Sequence, residues 1–131
     1  MHHPFAELIG FTQETSDTGR SLFRIDIQAA HLNPHRVVHG AVLYALADTG
    51  MGAALYPSLA ADELCATIQI TMNYFKAVHE GGQVRCETEL VSRGKRVANL
   101  HSRLYHEDRL VATADGNYAI FSPSNNRSSE S

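Results

Sequence analysis

The sequence predicts an α+β domain in which one long helix packs against an antiparallel β-sheet of about five strands. The first observation is that residues 41–55 are apolar on almost every side of a helical wheel, which is typical of a buried helix. The second is that several other segments alternate apolar and polar residues with a period of two. The third is that short turn signals separate the last three of these segments, as in an antiparallel meander.

Length and composition restrict the class of protein further. A chain of 131 residues suffices for one buried core and is short for two domains, so we expect a single domain over residues 1–121. Residues 122–131 lack side chains that could join a core and are predicted to form a disordered polar tail. A net charge of −3 with scattered basic residues argues against a nucleic-acid partner.

The apolar runs, the start of the chain and the cysteines together give an expectation for the cellular location. No apolar run approaches the ~20 residues that cross a bilayer, and the start does not resemble a signal peptide. Cys65 and Cys86 each lie in a strand-like context, where free thiols are expected. We therefore expect a soluble cytoplasmic protein without a membrane partner.

The elements follow in chain order. A short helix is predicted at the start, because Pro4 suits a first helical turn and Gly10 ends the helical spacing of apolar residues. The neighbouring His2 and His3 receive no role, since they are typical of an untethered terminus. The strands are predicted at residues 22–28, 66–75, 83–92, 96–106 and 110–121. Long edge strands invite pairing with a second subunit, so we expect at least a dimer.

The second strand has a specific predicted alternation. Ile68, Ile70, Met72 and Tyr74 are expected on one face and Thr67 on the other face, with Gln69, Thr71 and Asn73. Tyr44, Met51 and Tyr74 either line a ligand pocket or belong to the core, and their spacing suits both interpretations.

Asp48 is the anomaly of the long helix, because it is the one carboxylate in an apolar segment. Burial removes water from a carboxylate, so such a group is expected to be hydrogen-bonded or placed in a cleft. A core aspartate bonded to its neighbours would give the same sequence pattern. Asp48 is therefore a candidate for chemistry, with a purely structural role as the alternative.

The loop before the helix contains three histidines whose spacing could form a metal site. His31, His35 and His39 are spaced four apart and would line one face of a helix as metal ligands. Pro34 disfavours helical geometry at Asn33, however, so that face is not expected to form and no metal site is predicted.

Two other interpretations of this loop remain open. In the first, His39 and Gly40 cap and start the helix, while Asn33 and His35 bond the loop backbone. In the second, Gly40 lets a ligand approach the helix start, where unpaired N–H groups favour an oxyanion. Asp48 lies eight residues beyond Gly40, which is ~12 Å along a helix axis. If both residues act on one carbonyl, the simplest arrangement joins the helix start of one subunit to Asp48 of another.

The pattern Asn33-x5-His39-Gly40-x7-Asp48, followed by the meander, resembles that of the hotdog-fold acyl-CoA thioesterases. The most similar subgroup is that of the phenylacetic-acid-degradation thioesterases, and the resemblance covers residues 5–121. It implies a helix wrapped by a sheet, homodimers that often pair into homotetramers, and hydrolysis of acyl-CoA without a metal or other cofactor.

The resemblance also implies roles for residues of this chain. Asp48 would be the nucleophile or general base, and the Gly40 N–H would polarise the thioester carbonyl. Asn33 and His39 would orient the substrate or water, and Thr67 would hold the water. These enzymes commonly have a second glycine after the first, whereas this chain has Ala41, which a helical position accepts.

Coenzyme A would enter as part of the substrate, so its phosphates require basic partners. The candidates, which could equally be solvated turn residues, are Lys95, Arg96, Arg93 and Lys76. The leading hypothesis is an acyl-CoA thioesterase for aryl-acetyl or medium-chain groups. The alternatives are a hotdog dehydratase or hydratase acting on acyl thioesters and a non-catalytic acyl-CoA binding module.

Overall fold

The structure is a computed structural model, and it describes residues 3–123. The predicted tail falls largely on residues 124–131, which lie outside the described residues. Helices and strands run in the order α1 (Pro4–Ile9), β1 (Phe11–Asp17), β2 (Arg20–Asp26), α2 (Gly40–Leu55), β3 (Leu64–Tyr74), β4 (Gln83–Arg93), β5 (Val97–His106) and β6 (Arg109–Phe121). Short 3-10 turns lie at Ala29–His31 and Tyr56–Ser58. Each predicted strand is confirmed to within two residues at its ends.

The predicted fold class is confirmed, with one strand more than expected. The strands form a single antiparallel sheet in the order β1-β2-β4-β5-β6-β3. The additional strand is β1, whose residues are exposed except for Phe11. An edge strand with both faces largely in water has no apolar alternation, so its sequence lacks the usual signal. β3 forms the opposite edge of the sheet.

Helix α2 crosses the inner face of the sheet and supplies the centre of the core. Its start is fixed by His39, whose side chain accepts a hydrogen bond from the Ala41 N–H. Its fully buried residues include Leu46, Met51 and Leu55. The predicted buried helix is therefore confirmed, and apolar residues surround it because strands cover it along most of its length.

Strand β3 contains a β-bulge that changes which side chains face α2. Thr67 pairs with Tyr118 and Gln69 pairs with Asn117, so Ile68 has no partner across the ladder. The side chain of Ile68 is 57% exposed, whereas Thr67 contacts α2. The predicted face of Ile68 and Thr67 was therefore wrong. One extra residue reverses the alternation, and a period of two cannot reveal it.

No helix within residues 3–123 is long and apolar enough to cross a membrane. Both cysteines are free: Cys65 is half-buried and Cys86 is buried.

Candidate active site

The Asp48 carboxylate lies in a pocket of about 540 Å³ that is formed by α2 with residues of α1, β1, β2, β3 and β6. One of its oxygens, Oδ1, accepts a hydrogen bond of 2.8 Å from the Thr67 hydroxyl. The same oxygen accepts a hydrogen bond from the Tyr118 hydroxyl, whose oxygen also lies 2.7 Å from the Asp48 backbone oxygen. The carboxylate is thus half-buried, and among residues 3–123 its hydrogen bonds go to one of its two oxygens.

Tyr118 is a residue of the Asp48 site that the sequence did not reveal. It belongs to β6 directly opposite Thr67, and it is 3% exposed. In the sequence it is one aromatic residue within an alternating strand, so it resembles an ordinary core residue. Burial first, and the hydrogen bond to Asp48 second, raise the pKa of Tyr118 well above its ordinary value. The phenol therefore stays protonated and serves as a donor.

Cys65 lies in the same pocket as Asp48. Burial raises the pKa of its thiol, and the charge of Asp48 raises it further. A thiol with a raised pKa is a weak nucleophile at neutral pH. Of these two groups, the Asp48 carboxylate is therefore the stronger candidate for chemistry.

The remaining walls of the Asp48 pocket are mainly apolar or small. Apolar and small side chains from several elements contribute: Phe5, Phe23, Ala45, Gly52, Ala53, Tyr56 and Ala66. His3, which received no role from the sequence, also lines the pocket, and its Nδ1 accepts the Ala6 N–H at 3.0 Å. Its position before Pro4 is that of a helix N-cap, which is the signal that could have identified it.

A second pocket, of about 550 Å³, lies at the start of α2. Tyr74 packs against Gly40 there and donates a hydrogen bond of 2.9 Å to the Gly40 carbonyl. The Ala41 N–H is used by the His39 Nδ1 at 2.9 Å, which leaves the hydrogen of a neutral His39 ring on Nε2. No acceptor within residues 3–123 takes the Gly40 N–H. The helix start thus offers one unused backbone donor.

The polar residues of the preceding loop are used within the loop. Asn33 Oδ1 accepts the backbone N–H of His35 at 2.9 Å, and the N–H of Val37 lies 3.4 Å from it. His31 bonds through both ring nitrogens, to the Gln28 N–H and the Ile9 carbonyl. The described part of the chain contains no group of three His, Cys, Asp or Glu side chains arranged for a metal. Asn33 therefore holds the loop backbone through its side chain, whereas His35 takes part through its backbone N–H.

The two pockets share no lining residue. Gly40 and His39 line one pocket, and Asp48 and Thr67 line the other. This separation agrees with the ~12 Å estimated from the helix rise. Within one chain, Asp48 and the Gly40 N–H therefore face different spaces.

The predicted phosphate-binding residues differ in their surroundings. Lys76 lines the helix-start pocket, whereas Lys95 and Arg96 are exposed at the β4–β5 turn and line neither pocket. Arg93 is engaged within the chain, because it donates to Glu63 at 3.0 Å and to the Ser58 carbonyl at 3.1 Å. Arg93 thus ties the end of β4 to the segment before β3.

Of the residues expected to line a pocket or the core, Met51 is fully buried in the core and Tyr74 lines the helix-start pocket. Tyr44 is 38% exposed and lines neither pocket.

A long helix wrapped by one antiparallel sheet is the hotdog fold, and the Asp48 carboxylate in a cleft beside that helix suits a thioester hydrolase. The sequence model of the Thioesterase superfamily matches residues 35–113, which is more than half of the chain, and the chain belongs to this superfamily. A Pseudomonas aeruginosa protein that carries the name of an esterase is 29% identical over 114 residues, covering 86% of this chain and 85% of the relative.

Solved structures with the same fold place the chain among proteins of the PaaI kind. A variant of the phenylacetic acid degradation protein PaaI from Thermus thermophilus is 26% identical, with a TM-score of 0.84 over 89% of this chain and 98% of that one. The Escherichia coli PaaI protein has a TM-score of 0.83 at 19% identity, over 92% of this chain and 86% of that one, and shows the shared fold.

Proposed function

We propose that this thioesterase hydrolyses acyl-CoA esters to the free acid and coenzyme A, with Asp48 as the catalytic carboxylate. The observation that carries the proposal is the half-buried Asp48 carboxylate, which lies in an apolar pocket with one oxygen bonded by hydroxyl groups. The apolar and aromatic walls suit an apolar acyl group, and an aryl-acetyl group agrees with the phenylacetic acid degradation named for the PaaI proteins.

The carboxylate can act by two routes that give the same products. As a nucleophile it bonds to the acyl carbon, the carbon–sulfur bond breaks with its electron pair leaving on sulfur, and water then cleaves the mixed anhydride. As a general base it takes a proton from water, and the resulting hydroxide attacks the same carbon. The tetrahedral intermediate then collapses as the carbon–sulfur bond breaks with its electron pair leaving on sulfur. In both routes water supplies the oxygen of the acid and the proton that the thiolate acquires.

The tetrahedral intermediate of either route carries negative charge on the former carbonyl oxygen. The unused Gly40 N–H, at the positive end of α2, is the donor proposed for this oxygen. His39 precedes Gly40 in the chain, and the hydrogen on its Nε2 is available to orient the substrate. Asn33 supports this donor indirectly, since it holds the backbone of the loop that leads into the helix.

A composite site across a dimer would bring these two parts together. Strand β3 lies at the edge of the sheet, and its Thr67 end lines the Asp48 pocket while its Tyr74 end lines the Gly40 pocket. If two β3 strands pair antiparallel about a two-fold axis near Ile70, Thr67 of each subunit lies beside the end of the partner's β3 that lines the Gly40 pocket. One subunit would then supply the N–H donor and the other would supply the carboxylate.

Such an arrangement also suggests where the coenzyme A phosphates bind. Lys76 follows β3 and lines the helix-start pocket, so it is the first candidate. Lys95 and Arg96 are exposed and remain candidates, whereas a phosphate at Arg93 would have to compete with Glu63. The cytoplasmic location, the homodimer and the homotetramer remain predictions of this proposal.

The decisive experiment is a thiol-release assay with a panel of acyl-CoA esters. Asp48→Asn and Asp48→Ala should each lower kcat by at least ~10²-fold, which is typical of removing a positioned acid–base group. Asp115→Asn is the matched control, because Asp115 is an exposed carboxylate bonded to His101 and lines neither pocket. Full turnover by a folded Asp48→Asn protein would contradict the proposal.

Product analysis separates the alternative functions. Free coenzyme A and free acid in equal amounts support hydrolysis. Addition or loss of water at the acyl β-carbon, with the thioester intact, would instead indicate a hydratase or dehydratase. Binding without turnover of any ester would indicate a binding module.

The oxyanion donor can be tested by removing a single hydrogen. Gly40→Pro deletes the N–H, and proline is tolerated at the first helical position because His39 before it is already extended. Gly40→Ala is the control, since its Cβ meets the Tyr74 ring at the same 3.2 Å but the N–H remains. We expect Gly40→Pro to lose about 10²-fold in kcat relative to Gly40→Ala. Equal kcat values would remove Gly40 from the mechanism.

A further inference from the structure

The two oxygens of the Asp48 carboxylate have unequal surroundings. Oδ1 accepts hydrogen bonds from the hydroxyl groups of Thr67 and Tyr118. Within residues 3–123, no donor is bonded to Oδ2. A carboxylate bonded in this way cannot rotate freely, because rotation would break both bonds to Oδ1. One oxygen is therefore anchored and the other is available.

The sheet, not the loops, fixes this arrangement. Thr67 and Tyr118 are direct partners in the β3–β6 ladder, and the bulge at Ile68 turns Thr67 towards α2. Tyr118 is also paired with Ala98 on its other side, so β6 is held by two neighbouring strands at this point. Side chains on rigid strands hold a reacting group more accurately than side chains on loops.

Tyr118 has few alternative positions. Its ring is 3% exposed, and its hydroxyl reaches both the carboxylate and the backbone oxygen of Asp48. Because a phenol has a single hydrogen, these two oxygens share one donor. The hydroxyl thereby links the Asp48 side chain to the helix backbone at the same residue.

We propose that Tyr118 is a positioning residue that, with Thr67, anchors Oδ1 of Asp48 so that Oδ2 is the oxygen that attacks the acyl carbon or accepts the proton of water. This inference rests on the proposed function of Asp48 and adds a role for a residue of the last strand. It assigns Thr67 to the carboxylate itself, whereas the family resemblance implied that Thr67 holds the water.

The test compares the steady-state kinetics of variants that lack one of the two hydroxyl groups. Tyr118→Phe and Thr67→Val each remove one donor to Oδ1, and Thr67→Ser keeps it. The deletions should lower kcat by about 10- to 100-fold, on the scale of a hydrogen bond to a charged group, with KM changed by less than about threefold. Thr67→Ser should retain activity close to that of the wild type.

The split between kcat and KM separates positioning from general structural damage. A misdirected Oδ2 lowers kcat while the pocket still binds substrate, whereas a deformed pocket raises KM as well. Tyr105→Phe is the control, because Tyr105 packs under Arg85 and lines neither pocket.

Each outcome has one meaning. A lower kcat at nearly unchanged KM in both deletion variants, with kcat retained in Thr67→Ser, supports the inference. Wild-type kcat in folded Tyr118→Phe would overturn it, as would a loss of activity that comes mainly from a raised KM. If Tyr118→Phe does not fold, the comparison of Thr67→Val with Thr67→Ser makes the same decision. If instead Asp48→Asn keeps full turnover, the proposed function fails, and crystal structures of wild type and Tyr118→Phe still test the anchoring of Oδ1, because the Asp48 carboxylate should keep one orientation in the first and lose it in the second.

Discussion

Two glycines of α2, Gly50 and Gly52, should respond in opposite ways to the same substitution. A Cβ added at Gly50 would lie 2.7 Å from the Thr88 hydroxyl oxygen, whereas a Cβ added at Gly52 meets nothing within 4 Å. Thr88 is 4% exposed and bonded to Ser102 at 2.7 Å, so it has little room to move. Gly50 is required for close helix–sheet packing, and Gly52 is not.

The magnitudes follow from these contacts. Overpacking a core costs about 1–3 kcal/mol, and disturbing the buried Thr88–Ser102 hydrogen bond adds about 1 kcal/mol. Replacing a helical glycine by alanine gains about 1 kcal/mol at either position. We therefore expect Gly50→Ala to lower the free energy of unfolding by about 1–3 kcal/mol, and Gly52→Ala to raise it by up to about 1 kcal/mol.

Denaturant unfolding followed by circular dichroism measures this difference. The variants must be compared at one protein concentration, since association would contribute to apparent stability, and their m-values should agree. Adding Thr88→Ala removes the atom that the new Cβ would meet, so Thr88→Ala should cost less in the Gly50→Ala protein than in the wild type. A Gly50→Ala protein as stable as Gly52→Ala would refute the packing argument.

Three further predictions concern the core thiol, the sheet edge and the composite site. Burial raises the pKa of the Cys86 thiol to about 11, so its contribution to stability is complete below about pH 9 and is lost as the pH rises from there towards 11. Alkaline unfolding curves should therefore be flatter for Cys86→Ala than for the wild type, and parallel curves would contradict this. Ile68→Lys places a charge on the free edge of β3 and should shift the protein towards monomer in light scattering, whereas Val91→Lys, at a similarly exposed apolar residue of another strand, should not. Gly40→Pro and Asp48→Asn chains unfolded and refolded together should recover about a quarter of the wild-type activity if sites form across a two-fold dimer, and none if each site lies within one chain.

Most of the strands and the central helix were predictable because burial leaves a periodic trace in the sequence. Residues 83–92 and 110–121 alternate because one face of each strand meets α2. The edge strand β1 left no such trace, and the bulge at Ile68 reversed the alternation of β3. Local patterns report burial, so they fail where a strand is exposed or gains one residue.

The candidate site was also predictable from the sequence only in part. Asp48 was identified from the sequence because a carboxylate in an apolar helix is chemically anomalous, and its separation from Gly40 follows from the helix rise. Both statements concern one continuous segment with a known local geometry. The sequence by itself therefore determined which carboxylate to consider and that the helix start lies too far away to share its pocket.

Only the tertiary structure decided how the Asp48 carboxylate is held. Thr67 is 19 residues away in the sequence and Tyr118 is 70 residues away, and both reach the same oxygen. They meet because the β3–β6 register sets them opposite one another and the bulge turns Thr67 inward. Register is a property of two strands together, so no local pattern in either strand contains it.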